Sequence, residues 1–286
     1  MVKIGVTGAD GFLGSRILRF YQDKFDMTGY RHTDMDFTDP EEAEAVLKKD
    51  RPDILIHTAA VSDVGACEQD SERSEKVNVD GVRILAKICR EIGARLIFCS
   101  SDQVYVGNGE REPHREEERI APPTVYGRQK IRAEELALKA QPDTVALRLS
   151  WMFAVDFREG QEHGNLISTV CKARESGDRI RYPVYDLRSI TDVWEVVENL
   201  EIMFHAPAGI YNFGSENDRS TYEVVKEFLE SAGAGSENLE KNEEAFRDHP
   251  RNLRMNIEKV KKLGVRFLTT EEALKKAGTR WKHDPA

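Results

Sequence analysis

Tyr126 and Lys130 stand four residues apart in the stretch YGRQK. On a helix that spacing puts both side chains on one face. An ammonium beside a phenol favours the phenolate and lowers the phenol's pKa from about 10. A phenol so tuned can give a proton to an alkoxide near neutral pH. The pair alone is weak evidence, because tyrosine and lysine meet by chance on many helices. A third group strengthens it. Ser100-Ser101-Asp102 follows the apolar stretch Arg95–Cys99. A hydroxyl at the C-terminal end of a parallel strand lies on the ligand edge of the sheet, where it can polarise a carbonyl. A serine there can also cap the turn into the next segment, so the reading gives one serine to each task.

A fourth group sits at the front of the chain. Gly8, Gly11 and Gly14 of GADGFLG follow an apolar run, Val2–Val6, and open a helical pattern, Phe12–Tyr21. A strand that turns tightly into a helix points backbone N–H groups at one spot, those of Phe12 and Leu13 among them. Glycine allows both the turn and the close approach of a diphosphate. The spacing is G-x-x-G-x-x-G, and a plain tight turn is the competing reading. After the second strand, where a carboxylate would take a ribose 2′-hydroxyl, the chain reads Gly29-Tyr30-Arg31-His32. Arg31 suits a 2′-phosphate through charge and bidentate geometry. NADPH is therefore expected ahead of NADH, which stays open, as does a plain surface arginine.

These groups need a scaffold, and the apolar patterning supplies one. Strands are expected at Val2–Val6, Met27–Tyr30, Asp53–Thr58, Arg95–Cys99 and Thr144–Leu149. Helices are expected at Phe12–Tyr21, Pro40–Lys49, Ser74–Ile92 and Val125–Lys139. Asp39 with Pro40 reads as a helix start and Gly93 as a stop. Alternating strands and helices imply an α/β, Rossmann-type doubly wound parallel sheet. Its strand C-termini line one ligand edge. Residues 1–150 are expected to form this nucleotide-binding part. Residues 151–286 are expected to form a small substrate lobe, interleaved with the first, that lacks a run of strands. In it, helices are expected at Leu166–Glu175, Thr191–Phe204, Ser220–Ala232, Asn256–Leu263 and Thr270–Lys276, with one strand at Gly209–Phe213 and a loop at Gly233–Glu244.

The 286 residues, 40% hydrophobic and 33% charged with net charge −9, describe an ordinary soluble chain. The charge argues against nucleic acid or an anionic membrane as partner. No apolar run approaches a membrane span, and the N-terminus already reads as a core strand, so no signal peptide is expected. Four scattered cysteines fit a reduced, cytoplasmic protein. Cys89 and Cys99 read as core fillers, and Cys67 is harder to assign.

Together, GADGFLG, the serine pair and YGRQK resemble the extended short-chain dehydrogenase/reductase superfamily. The likeness is closer to the dTDP-4-dehydrorhamnose reductases and their relatives, among them the methionine adenosyltransferase regulatory beta subunit. RPDILIHTAA (51–60), KVNVDGVRILAKIC (76–89), FCSSDQVYVGNG (98–109), PPTVYGRQKIRAEE (122–135), ALRLSWMFA (146–154) and RMNIEKVKKLG (254–264) carry it. The resemblance implies that Ser101, Tyr126 and Lys130 are the catalytic hydroxyl, acid and lysine. Ser100 and Asn78 then belong to the cofactor side, with Asp36-Phe37 at the adenine and Ala59 and Ala60 small enough to let the cofactor pass. Trp151 lies against the sugar and Asp102 supports the hydroxyl. It implies reduction of a 4-keto sugar nucleotide and allows a homodimer. An NAD-retaining epimerase or dehydratase, and a cofactor-binding regulatory subunit, are the alternatives.

The chain departs from that pattern at Thr124, where the family often has Asn, at Ile190-Thr191 and at Pro250-Arg251. Those departures weaken the sugar assignment. Arg251 and Arg254 are candidates to grip a diphosphate, with plain surface arginine as the alternative. His57 reads as a packed core histidine. Glu116–Glu118 reads as a solvated loop. His114, His163, His205 and His249 lack metal-ligand spacing, so no metal site is expected.

Overall fold

Short apolar runs become the strands of a central sheet, and amphipathic stretches become the helices that cover it. The computed structural model describes residues 1–157 and 164–283, so His163 lies outside the described residues. The first half runs β1 (Lys3–Thr7), α1 (Gly14–Tyr21), β2 (Asp26–Tyr30), α2 (Pro40–Asp50), β3 (Ile54–His57), α3 (Val64–Gln69), α4 (Ser71–Glu75), α5 (Val82–Ile92), β4 (Arg95–Ser101), α6 (Val125–Ala140) and β5 (Val145–Leu149). The second runs β6 (Trp151–Phe153), α7 (Leu166–Ser176), β7 (Ile180–Pro183), β8 (Asp186–Arg188), β9 (Ile190–Asp192), α8 (Val193–Met203), β10 (Gly209–Phe213), α9 (Thr221–Ser231), β11 (Leu239–Asn242), β12 (Arg251–Leu253), α10 (Glu258–Lys261) and α11 (Thr270–His283).

The central sheet has the order β10-β5-β4-β3-β1-β2. β1 pairs in parallel with β2 and β3, and β3 with β4. The chain therefore steps outward from β1 to β2, then returns across β1 to build the other side. That reversal between β1 and β3 opens a crevice at the strand C-termini, the place where doubly wound sheets take ligands. The glycine turn ends β1, and Thr58-Ala59-Ala60 follows β3.

Local chemistry explains the helix limits. Asp39 accepts hydrogen bonds from the N–H groups of Glu41 and Glu42, with Pro40 at the first helical position. Gly93 ends α5 in the left-handed region at φ +76°. Ser220 and Glu223 close a reciprocal cap on α9.

The chain divides into two compact units. One holds Met1–Val106, Arg119–Arg148 and Val197–Tyr211; the other holds Gly107–Glu118, Leu149–Val196 and the chain from Asn212. The first unit packs Leu47, Leu55, Leu85, Leu96 and Phe98 into one core. The second packs Phe153, Leu166, Val224, Phe228 and Leu274. Burying each such side chain stabilises by about 1.5–3 kcal/mol.

Three expectations change. The helix expected over Ser74–Ile92 is broken: Lys76–Gly81 winds as a π-helical turn between α4 and α5. The segment from residue 151 onward has strands of its own, in the two-stranded pairs β6–β9, β7–β11 and β8–β12. Each strand is only three or four residues long, too short to show a period-2 pattern. Glu116 and Glu118 are not a solvated loop: Glu116 accepts the Asn212 N–H at 2.9 Å, and Glu118 lies 2.7 Å from Nδ1 of the buried His114. Among the described residues no helix is long and apolar enough to cross a membrane. No group of three metal-ligating side chains occurs among them either.

Candidate active site

The glycine turn is built by close approach. Gly8 adopts φ +71°, and the Gly11 N–H donates to its carbonyl at 2.9 Å. A Cβ on Gly14 would lie 2.2 Å from that same carbonyl, and one on Gly8 would lie 2.8 Å from Thr58 Oγ1. Any side chain at either position would force the turn open. No side chain caps the N-terminus of α1, and its first turn carries no acid. The N–H groups of Ser15, Arg16 and Ile17 already donate to the Gly11 and Leu13 carbonyls, so an anionic guest would meet those of Phe12 and Leu13 at the turn. Arg16, fully buried, donates to the Phe12 carbonyl at 2.8 Å and lies over the Phe12 ring, which steadies this turn.

At the end of β2, Arg31 is exposed, with its Nε 3.1 Å from Asp10. Asp36 is turned into its own loop, accepting from the Thr38 hydroxyl at 2.7 Å and the Thr38 N–H at 2.9 Å; these bonds lower its pKa. Phe37 meets the His57 ring edge-on and lies where a Cβ on Gly81 would be. His57 is buried between Phe37 and Phe98, and burial pushes its pKa down to about 3. It is a core histidine, as expected.

Helix α6 starts where Thr124 accepts the Gly127 N–H at 3.2 Å. The departure from asparagine therefore keeps the cap, since either side chain can accept that bond. Gly127 lets α6 come close. A Cβ there would meet the Gln103 carbonyl at 2.7 Å, in the 3-10 turn Asp102–Tyr105 that follows Ser101. Sequence reasoning missed this glycine; its signal was the Tyr-Gly pair, a small residue beside the candidate acid. Close approach sets Tyr126 beside Ser101.

Tyr126 and Lys130 are both buried, at 6% and 2% exposure. Lys130 Nζ donates to the Cys99 carbonyl at 2.9 Å and lies 4.8 Å from the Phe98 ring centre and 5.6 Å from that of Tyr126. The electrostatics correct one expectation. Burial raises the Tyr126 pKa, and the influence that lowers it comes from the neighbouring Ser101 hydroxyl, not the ammonium. Burial also lowers the Lys130 pKa, to about 8.

The two serines divide their work differently from the expectation. Ser101 lies beside Tyr126 and accepts the Gln103 N–H at 3.2 Å. Ser100 turns its hydroxyl away from this group and donates to buried Glu134 at 2.6 Å. Asp102 is buried and accepts from the Gln103 amide at 3.1 Å. Asn78 sits on the π-helical turn. It clamps both backbone polar groups of Val61 at 2.9 and 3.0 Å and donates to Gln129 at 2.9 Å. Its side chain secures the segment after Ala59 and Ala60, which are partly exposed.

In the second unit, the Arg188 guanidinium lies 4.6 Å over the half-buried Trp151 ring. Arg251 binds Asp186 through two hydrogen bonds of 2.8 Å and covers the Phe246 ring at 4.2 Å. Arg254 donates to Asn252 at 3.0 Å and to the Arg111 carbonyl. Both arginines are thus already held by neighbouring groups. A cavity of about 310 Å³ lined by Lys3, Asp26, Lys49 and Pro52 lies at the far end of β1 from the glycine turn, away from this chemistry.

Known proteins match this arrangement. The family described as the RmlD substrate binding domain matches residues 2–282. SpsK, a spore coat polysaccharide biosynthesis protein of Bacillus subtilis, is 28% identical over 82% of this chain and 80% of its own length. The dTDP-4-dehydrorhamnose reductase of Mycobacterium tuberculosis is 33% identical over 53% of this chain and 50% of its own length. Among solved structures, dTDP-4-dehydrorhamnose reductase from Bacillus anthracis in complex with NADP superposes with TM-score 0.87 at 21% identity, covering 96% of this chain and 98% of that one. UDP-glucose 4-epimerase from Thermotoga maritima, with UDP-glucose, superposes with TM-score 0.81 at 19% identity, covering both chains entirely. At such identities the structural likeness speaks to the fold, which is the doubly wound α/β sheet. The family match speaks to descent: the chain belongs to the RmlD substrate binding domain family.

Proposed function

We propose that this chain reduces a 4-keto sugar nucleotide with NADPH. The observation that carries the reading is the group of Ser101, Tyr126 and Lys130, with the serine beside the phenol and the amine one helical turn beyond it. The reductase names of relatives and the NADP complex of the Bacillus anthracis enzyme support it.

The uncapped start of α1, with Gly8, Gly11, Phe12, Leu13 and Gly14, fits a cofactor diphosphate, and Arg31 fits a 2′-phosphate. Bound NADPH supplies the hydride. Tyr126 holds the proton that the substrate oxygen needs. Burial keeps the phenol protonated at neutral pH, which is the form an acid requires. An alkoxide is a stronger base than a phenolate, so the proton still moves downhill. Ser101 orients the carbonyl oxygen beside the phenol, and the Lys130 ammonium stabilises the phenolate left behind.

The test is NADPH oxidation over a panel of 4-keto sugar nucleotides, with Tyr126→Phe alongside. The variant is expected to bind NADPH as the parent does and to lose about 10²–10⁴-fold in turnover. Parent-like turnover in the variant overturns the assignment. So does purified protein that carries tightly bound oxidised cofactor and leaves the whole panel unreduced.

A further inference from the structure

Tyr126, Lys130 and Glu134 follow one another at four-residue intervals, so all three share one face of α6. The first two belong to the site. Glu134 is 1% exposed, and a carboxylate so deep is costly unless it is fully bonded. It is bonded on every side. Oε1 accepts from Ser100 Oγ at 2.6 Å and from Arg148 Nε at 3.0 Å, and Oε2 accepts from Arg148 Nη2 at 2.8 Å. Arg148, 3% exposed, donates its remaining arm to the Tyr105 hydroxyl at 2.9 Å.

These bonds bracket one residue. Ser100 precedes Ser101 on β4, and Tyr105 ends the 3-10 turn that follows it. We propose that Glu134 is a positioning residue of the reducing site, holding the helix that bears Tyr126 and Lys130 in register with the strand that presents Ser101. The proposal rests on the function proposed above. Its physical content is that sliding or rotating α6 across the sheet breaks three charge-assisted bonds at once, one to Ser100 on β4 and two to Arg148 on β5. The phenol and the serine hydroxyl are thus held side by side before any substrate arrives. Glu134 has a second influence on the site: its negative charge favours the Lys130 ammonium.

Ser100→Ala tests the register directly, because it removes one bond and leaves the Glu134–Arg148 pair intact. A misplacement of about an ångström can cost 100-fold, and losing one of three anchors is expected to lower kcat about tenfold while KM for the sugar nucleotide stays within about twofold. A crystal structure of this variant without substrate is expected to show the Ser101 Oγ–Tyr126 Oη separation widened relative to the parent. The double variant Glu134→Gln/Arg148→Met removes both buried charges together, so neither is left unpaired. It is expected to fold, to stay slow, and to lose kcat/KM at lower pH on the basic side. A purely structural role predicts full turnover per folded molecule and an unmoved pH profile. An unchanged Ser101–Tyr126 separation in Ser100→Ala overturns the positioning role whether or not a substrate has been found. A wild-type chain that reduces nothing overturns the function and leaves the crystal readout to decide the register.

Discussion

Lys130 and Arg251 are both cations laid over an aromatic ring, and what else each touches separates them. Lys130 donates to a neutral carbonyl, that of Cys99, and its pKa falls to about 8. Arg251 grips a carboxylate with two parallel bonds and leaves Asp186 at 2% exposure. A buried ammonium whose hydrogen bond goes to a neutral oxygen is not neutralised by a direct ion pair. A guanidinium in a bidentate pair has its field neutralised where it stands. The first arrangement suits chemistry and the second suits scaffolding.

The sharpest way to break this contrast is to remove each cation in turn. Lys130→Met is expected to cut turnover about 10²–10⁴-fold while the melting temperature holds or rises, since an unpaired buried charge is gone. In the parent, kcat/KM is expected to fall as pH rises past about 8, where Lys130 loses its proton. In Lys130→Arg that limb should move upward, because a guanidinium stays charged. Equal profiles for the two proteins would remove Lys130 from the chemistry.

Arg251→Ala is expected to do the reverse. It leaves Asp186 buried without its partner and should cost about 3–5 kcal/mol of stability in denaturant titration. If instead stability holds and only KM for the sugar nucleotide rises, Arg251 is a substrate ligand and the contrast fails.

His57 offers a pH test within the first unit. Its pKa is depressed to about 3 from 6.5 by burial. The unfolded chain then binds a proton that the folded chain does not, so stability is present above pH 6.5 and lost as pH falls toward 3. Thermal melts of His57→Leu should show a shallower acid decline than the parent. The smallest effect is expected at Arg31, which is exposed and already near Asp10. Arg31→Ala should weaken NADPH about tenfold, the size of one charge-assisted bond, with NADH unchanged. Equal losses for both cofactors would take Arg31 off the 2′-phosphate.

The sequence showed some parts of the site and hid others for reasons of range. The glycine turn and the Tyr126–Lys130 pair lie within a few residues of chain, where φ restrictions and the helical period act locally. The π-helical turn at Asn78 was hidden because the apolar pattern around it still reads as one helix; the extra residue per turn is taken up by packing, as where Phe37 fills the space beside Gly81. The division of labour between Ser100 and Ser101 was hidden as well. It depends on Glu134, which lies 34 residues away along the chain.

The chain by itself determined the alternation of strand and helix, the ligand edge that follows from it, and which residue types arrive there. Those follow from backbone sterics and short-range periodicity. Tertiary structure alone decided which charges are left open and which are paired. Arg251 is a free cation or half of an ion pair only according to what Asp186, 65 residues away, does. The same holds for the phenol: spacing predicted an ammonium-tuned acid, and burial, which no spacing reveals, keeps it protonated instead.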